Sequence, residues 1–308
     1  MSGWSPARAR RLDEISGGEG IVVGSAVDHR DSLRVALERK GLGRAGPAEL
    51  SALKLRIARV LAPASTLILL DAETSAAQAL AGGAVPGTVA LGVPLEAQGY
   101  GEVADGPRTT FLPGWSPARA AALGASACKL LLPYRPDLSG QAEAQEQVVR
   151  EALAGCRAAS VALVLEPIVY GDLEPARFEA LVAEAAARLA PLGPDVLKLQ
   201  YPGSPEGCRA LDDACGRDVP WVLLGGGADA DVLEERVADA CAAGASGFVV
   251  GRTLWDGALV ADEQASLAVL REVSLPLLER LGALARAAGR PWRERVGPIP
   301  APEPGELP

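Results

Sequence analysis

Histidine is nearly absent from this 308-residue chain, and His29 is its single copy. Lysine is almost as scarce, with four residues, Lys40, Lys54, Lys129 and Lys198, among 30 basic side chains. One histidine leaves no scope for a multi-histidine metal site, and the five cysteines (Cys128, Cys156, Cys208, Cys215 and Cys241) form no CxxC pair. An odd number of scattered cysteines excludes a disulfide framework and predicts a reducing, cytoplasmic compartment. Basic charge is also short: a net charge of -9 lacks the positive stripe that a nucleic-acid binder needs to displace counterions. No apolar run approaches the roughly 20 residues of a membrane span. The basic start of the chain is followed by no apolar segment, so a secretory leader is not expected. No Walker motif is present and no GxGxxG follows a first strand, so a nucleotide cofactor is not indicated.

What is present is a regular alternation. Hydrophobic residues make up 49% and charged ones 22%, which argues for a packed core rather than a disordered chain. Short continuous apolar runs lie at 21–28, 66–71, 88–93, 127–133, 161–166, 196–201, 220–225 and 246–251. Unbroken apolar runs are expected of strands buried on both faces. Helix-like segments separate them, among them 142–159, 175–190, 230–243 and 262–288. Eight strand–helix units predict an α/β fold, a (β/α)8 TIM barrel. No Gly/Ser linker divides the chain, so one domain is expected over 1–295, followed by a Pro-rich tail at 296–308. GWSPARARRL at 3–12 is echoed by GWSPARAAAL at 114–123. The similarity ends there, which points to a reused helix start, with Ser5 and Ser116 as N-caps and Pro6 and Pro117 in the first turn.

The two lysines inside apolar strands are the strongest chemical signal. Lys129 lies in ACKLLLPY and Lys198 in DVLKLQYP. Arginine replaces lysine as a charge but not as a nucleophilic amine, and a buried ammonium is costly unless paired or deprotonated. A pair near the C-terminal ends of barrel strands therefore suggests Schiff-base chemistry, one amine attacking a carbonyl and the other lowering its pKa by its charge. Each lysine alone is equally well explained as a structural ion pair. Acidic residues also end strands: Asp28 the first, Asp71 the second and Glu166 the fifth. Asp28, Lys129, Glu166 and Lys198 are expected to converge at the catalytic end of the barrel, with the carboxylates moving protons or only neutralising the lysines. Gly225, Gly226 and Gly227 end the seventh strand, and Gly251 with Arg252 ends the eighth, where such barrels often bind phosphate. Arg30 is a candidate for an anionic substrate end or for pairing with Asp31 or Glu38. His29 reads as a proton shuttle or a plain hydrogen-bonding residue. Tyr134 and Tyr170 are candidates to reach a sugar hydroxyl; Trp115, Tyr201 and Trp255 read as packing.

With these residues in place, the chain resembles the class I aldolases of the tagatose-1,6-bisphosphate aldolase type, which include the sulfofructosephosphate aldolases. The resemblance runs in order through AVDHRDSL (26–33), EAQGY (96–100), LPGWSPARAAALGASACKLLLPY (112–134), LVLEPIVYGD (163–172), DVLKLQYP (195–202), LLGGGADADVLEE and GASGFVVGRTLW. It implies a TIM-barrel aldehyde-lyase without metal or other cofactor. The substrate would be a sugar phosphate or sulfosugar phosphate, such as tagatose 1,6-bisphosphate or 6-deoxy-6-sulfofructose 1-phosphate. Cleavage would give dihydroxyacetone phosphate and an aldehyde. By the resemblance Lys198 forms the imine, Lys129 is its neighbour, Glu166 is the acid/base and Asp28 is the first-strand aspartate. Gly226, Gly227, Gly251 and Arg252 match the phosphate-binding strand ends. His29 stands where the family usually has glutamine. A silent sugar-phosphate-sensing barrel fits the same fold, but would not need the full set of Lys129, Glu166 and Lys198; a barrel using the imine for isomerisation or transaldol transfer differs only in the fate of the carbanion, which product analysis separates. No nucleic-acid or membrane partner is expected, and the apolar face of 262–288 suits a homo-oligomer.

Overall fold

The computed structural model describes residues 5–103 and 105–299. The expected tail lies outside the described residues from position 300 onward. Eight parallel strands form a closed barrel: β1 (Val22–Ala26), β2 (Leu67–Leu69), β3 (Ala90–Pro94), β4 (Ala127–Pro133), β5 (Ala162–Ile168), β6 (Val196–Leu199), β7 (Trp221–Leu224) and β8 (Gly247–Val250). Each falls within or against one of the eight apolar runs. Neighbours in sequence are neighbours in the barrel, and β1 closes it against β8 with Val22 opposite Gly247 and Ser25 opposite Val250.

The period of two along a strand divides its side chains between two cores. Val23, Ile68, Leu91, Leu130, Leu163, Leu197, Leu223 and Phe248 face the surrounding helices. Val22, Ala26, Leu67, Leu69, Ala90, Ala127, Ala162, Val164, Val196, Val222 and Val249 fill the barrel interior. The same period, continued toward the C-terminal ends, sends Asp28, Lys129, Glu166 and Lys198 inward. Each stands two residues beyond an interior apolar one: Ala26, Ala127, Val164 and Val196. The interior layer below them is rich in alanine and valine, so the polar layer sits on a buried apolar floor.

The opposite end is plugged. The helix Pro6–Ser16 and the short helix Trp292–Val296 contribute Ala9, Leu12, Ile15 and Trp292 to the interior cluster, and the Trp292 amide donates to the Gly20 carbonyl at 3.1 Å. Ser5 and Ser116 each cap a helix that begins with proline, accepting from the amides of Arg8 and Arg119 at 3.3 Å. The expected helix over 262–288 is interrupted: Glu263–Val269 and Leu275–Ala288 flank a π-helical turn at Leu270–Ser274. Pro276 is the physical reason, because it lacks an N–H for the carbonyl of Glu272 and its ring crowds that carbonyl. A small antiparallel hairpin, Gly101–Val103 with Gly106–Arg108, rises after β3. It was not expected, since both arms are three residues long and carry no apolar alternation.

Candidate active site

All nine expected site residues line one cavity of about 300 Å³ at the C-terminal mouth of the barrel: Asp28, Arg30, Lys129, Glu166, Lys198, Gly226, Gly227, Gly251 and Arg252. At its centre, Lys129 Nζ is surrounded by three carboxylates. It lies 2.7 Å from Glu96 Oε1, 3.2 Å from Asp28 Oδ2 and 3.3 Å from Glu166 Oε2. Lys198 Nζ makes one ion pair, 3.1 Å to Glu166 Oε1. Glu166 thus bridges the two lysines, one through each oxygen, and its Oε2 accepts no hydrogen bond. Asp28, Glu96, Lys129, Glu166 and Lys198 are all buried.

Mutual pairing is what keeps these charges in the barrel. Burial is the largest influence on Lys129 and works against its charge, but Asp28, Glu96 and Glu166 together raise its pKa well above the ordinary lysine value. Burial likewise pushes Asp28 and Glu166 up; Lys129, His29 and Lys198 more than offset it at Asp28, and the two lysines do so at Glu166, leaving both carboxyls below their usual range. Glu96 goes the other way: burial, helped by the charge of Asp28, outweighs Lys129 and raises its pKa. The carboxyls are therefore separated in acidity, a pattern that suits proton transfer at a shared site.

Sequence reasoning missed Glu96. It stands two residues beyond Pro94 on the inward face of β3, so the signal that found Asp28 and Glu166, an acidic residue ending a buried run, was present in VPLE. The backbone carbonyl of Glu96 accepts from Arg30 Nη2 at 2.7 Å, and Arg30 Nη1 pairs with Glu73 at 2.8 Å. Arg30 thus anchors the strand-end loops; neither Asp31 nor Glu38 is its partner. Asp71 is not in the cavity. It forms a fully buried ion pair with Lys54 and accepts from the Thr74 and Ser75 hydroxyls, fixing the loop that carries Glu73. Tyr134 and Tyr170 are also elsewhere: the Tyr134 hydroxyl donates to Glu146 at 2.9 Å, and Tyr170 packs against the hairpin glycine Gly106.

At the other wall, Gly226 and Gly227 adopt φ of +66° and +77°, a left-handed turn that glycine enters without a Cβ penalty. Arg252 Nη2 donates to the Gly226 carbonyl at 3.0 Å, and a Cβ on Gly227 would fall 2.9 Å from the guanidinium carbon. The Arg252 guanidinium beside two glycines without side chains makes a wall of the cavity where a fork of donors could meet an anion. A larger groove of about 830 Å³ runs outside the barrel between the helices 47–61 and 263–288 and contains none of the strand-end groups.

The description "DeoC/LacD family aldolase" belongs to the family profile that matches residues 23–257, the span from β1 to just past β8. The chain is 25% identical to tagatose 1,6-diphosphate aldolase 2 of Streptococcus mutans, covering 92% of this chain and 96% of that protein. It is 26% identical to tagatose 1,6-diphosphate aldolase of Staphylococcus aureus, covering 92% and 97%. Among solved structures, an archaeal fructose 1,6-bisphosphate aldolase superposes with a TM-score of 0.62 at 19% identity, covering 91% of this chain and 99% of the other. The fructose-bisphosphate aldolase from Slackia heliotrinireducens superposes with a TM-score of 0.63 at 16% identity, covering 91% and 90%.

Proposed function

The chain belongs to the DeoC/LacD family of aldolases, and from that premise we propose that it is a class I enzyme cleaving a phosphorylated ketose through an imine at Lys198. The products are dihydroxyacetone phosphate and an aldehyde. The observation that carries this reading is the unequal pairing of the two lysines. Lys129 faces three carboxylates and remains an ammonium, whereas Lys198 faces Glu166 alone, a carboxylate whose other oxygen is turned to Lys129. Lys198 is the amine free to attack, and Lys129 is the fixed cation that holds Glu166, Asp28 and Glu96 in place.

The steps follow from these positions. Lys198 Nζ adds to the ketone carbon, and Glu166, 3.1 Å away, relays the protons needed to expel water from the carbinolamine. The protonated imine then accepts the electron pair of the carbon–carbon bond as a proton leaves the hydroxyl on the far carbon. Aldehyde departs, the enamine is protonated at carbon, and water hydrolyses the imine. Gly226, Gly227, Gly251 and Arg252 hold the phosphate so that the ketone carbon reaches Lys198; Asp28 orients the bound chain. The tagatose 1,6-diphosphate aldolase names of the relatives support a ketose bisphosphate as substrate. The five buried thiols, none of them in a disulfide, suit a reducing cytoplasm.

Incubation with dihydroxyacetone phosphate, borohydride reduction and peptide mass spectrometry should place the adduct on Lys198. Lys198→Arg, folded by circular dichroism, should lose turnover on the order of a thousandfold or more. An adduct on another lysine, or a Lys198→Arg enzyme that still cleaves ketose bisphosphate, removes the proposal.

A further inference from the structure

His29, the single histidine, is a cavity-lining ionisable group that the imine chemistry leaves unused. Its ring is wedged. Nδ1 is shielded, lacks a hydrogen-bond partner and stands 3.8 Å from Asp28 Oδ1. Cε1 lies against Gly251, where an added Cβ would come within 2.7 Å of it. The ring meets Trp255 edge to face, with centroids 5.0 Å apart and planes at 73°, and Trp255 is pinned by a 2.9 Å hydrogen bond from Nε1 to the Ala26 carbonyl. A quarter of the side chain remains exposed, and Nε2, unlike Nδ1, is not among the buried atoms without a partner, which leaves it as the ring nitrogen open to a ligand.

The ring spans two parts of the cavity: Asp28 beside the lysines on one side, and Gly251 leading to Arg252 on the other. A donor ketone joined to Lys198 and held by its phosphate at Gly251 and Arg252 must run alongside it. Burial is the strongest influence on the imidazole and, with Lys198 and Lys129, outweighs Asp28 and Glu166 to bring its pKa down to about 4. A neutral imidazole offers one donor, one acceptor and no charge, which suits a hydroxyl rather than a second phosphate.

We infer that His29 determines donor specificity by hydrogen-bonding, through Nε2, the hydroxyl on the substrate carbon beside the imine carbon. The site thereby selects hydroxyketone phosphates over their deoxy analogues. The inference rests on the imine reading at Lys198 and adds no bond-making step. A ring already immobilised by Gly251 and Trp255 reads that hydroxyl at little ordering cost.

Borohydride trapping at Lys198 tests it with two probes, dihydroxyacetone phosphate and hydroxyacetone phosphate, which lacks only that hydroxyl. Wild-type protein should half-saturate with the first at about tenfold lower concentration. In His29→Ala the two ketones should trap within about twofold of each other, because dihydroxyacetone phosphate weakens while its analogue does not. His29→Gln, whose amide supplies a donor and an acceptor, should keep most of the preference. His29→Leu fills the same space without a polar atom and gives the same readout if the alanine variant does not fold. An unchanged preference, or equal weakening of both ketones, overturns the inference while the imine stands. No adduct from either ketone on the wild type overturns the imine reading and the inference with it.

Discussion

One ammonium among three carboxylates and a second lysine beside one of those same carboxylates make a cluster in which each charge is tolerated only because of the others. Removing a single member of such a group leaves an uncompensated buried charge, which is why the effects of the individual residues are not separable. His29 is the exception, because its neighbours keep it uncharged. Its pKa falls from 6.5 to about 4 through burial first and the two lysines second. The native protein therefore binds fewer protons at this residue than the unfolded chain between those values. The stability it supports is full above about pH 6.5 and is lost as the pH falls toward 4, by about 3 kcal/mol at most. Comparing urea unfolding of wild type and His29→Gln at pH 7 and pH 4 should show that loss in the wild type alone. As the single histidine, it also gives one pair of ring-proton resonances, whose NMR titration midpoint should lie near 4; a midpoint near 6.5 contradicts the neutral ring. Lys129 and Lys198 were legible in the sequence because lysine is so rare here that two within apolar strands demand a reason. Glu96 was passed over because the apolar run read at 88–93 stops short of it, although the buried Pro94 and Leu95 carry that run up to it.

At the level of the element, the eight strands were readable from composition alone, since a strand covered on both faces has no choice but to be apolar. The hairpin 101–108 and the π-helical turn were not, because short half-exposed arms carry no period and the helical pattern of 262–288 continues through Pro276. The closing pair, β1 with β8, depends on one residue. Gly247 has φ +112°, and an added Cβ would overlap the Val22 carbonyl oxygen, 2.0 Å away. Both the positive φ and the close approach exclude a side chain. Gly247→Ala should lower the unfolding free energy by about 3 kcal/mol or more, because strain and a backbone clash fall on the same position. Gly87→Ala is the control, since nothing lies within 4 Å of its added Cβ, and it should leave the urea midpoint nearly unchanged. Equal midpoints for the two variants would mean that the β1–β8 seam adjusts without cost.

Across the whole molecule the two ends of the barrel carry different kinds of ion pair. At the mouth, charges share partners and line a cavity. At the plugged end they serve closure: Arg8 pairs with Asp195 at 2.7 Å, and the buried Arg295 binds Asp212 while donating to the carbonyls of Gly216 and Gly244 at 2.5 and 3.1 Å. Arg295 ties the short C-terminal helix to the ends of the helices Pro205–Cys215 and Ala230–Ala243, and it touches nothing at the mouth. Barrels of this kind keep chemistry at the C-terminal ends of their strands and stability at the other. Arg295→Ala should therefore cost about 3 kcal/mol in denaturant unfolding, since it removes a buried guanidinium from Asp212 and from the carbonyls of Gly216 and Gly244, leaving Asp212 with the more distant Arg290 at 3.7 Å. At temperatures where the variant stays folded, its kcat/KM on ketose bisphosphate should remain within about twofold of wild type, a difference of less than half a kcal/mol in transition-state binding. A variant equally stable but catalytically impaired would mean that the plug communicates with the lysines through the strands, and that the interior alanine and valine layers transmit strain rather than insulate the site from it.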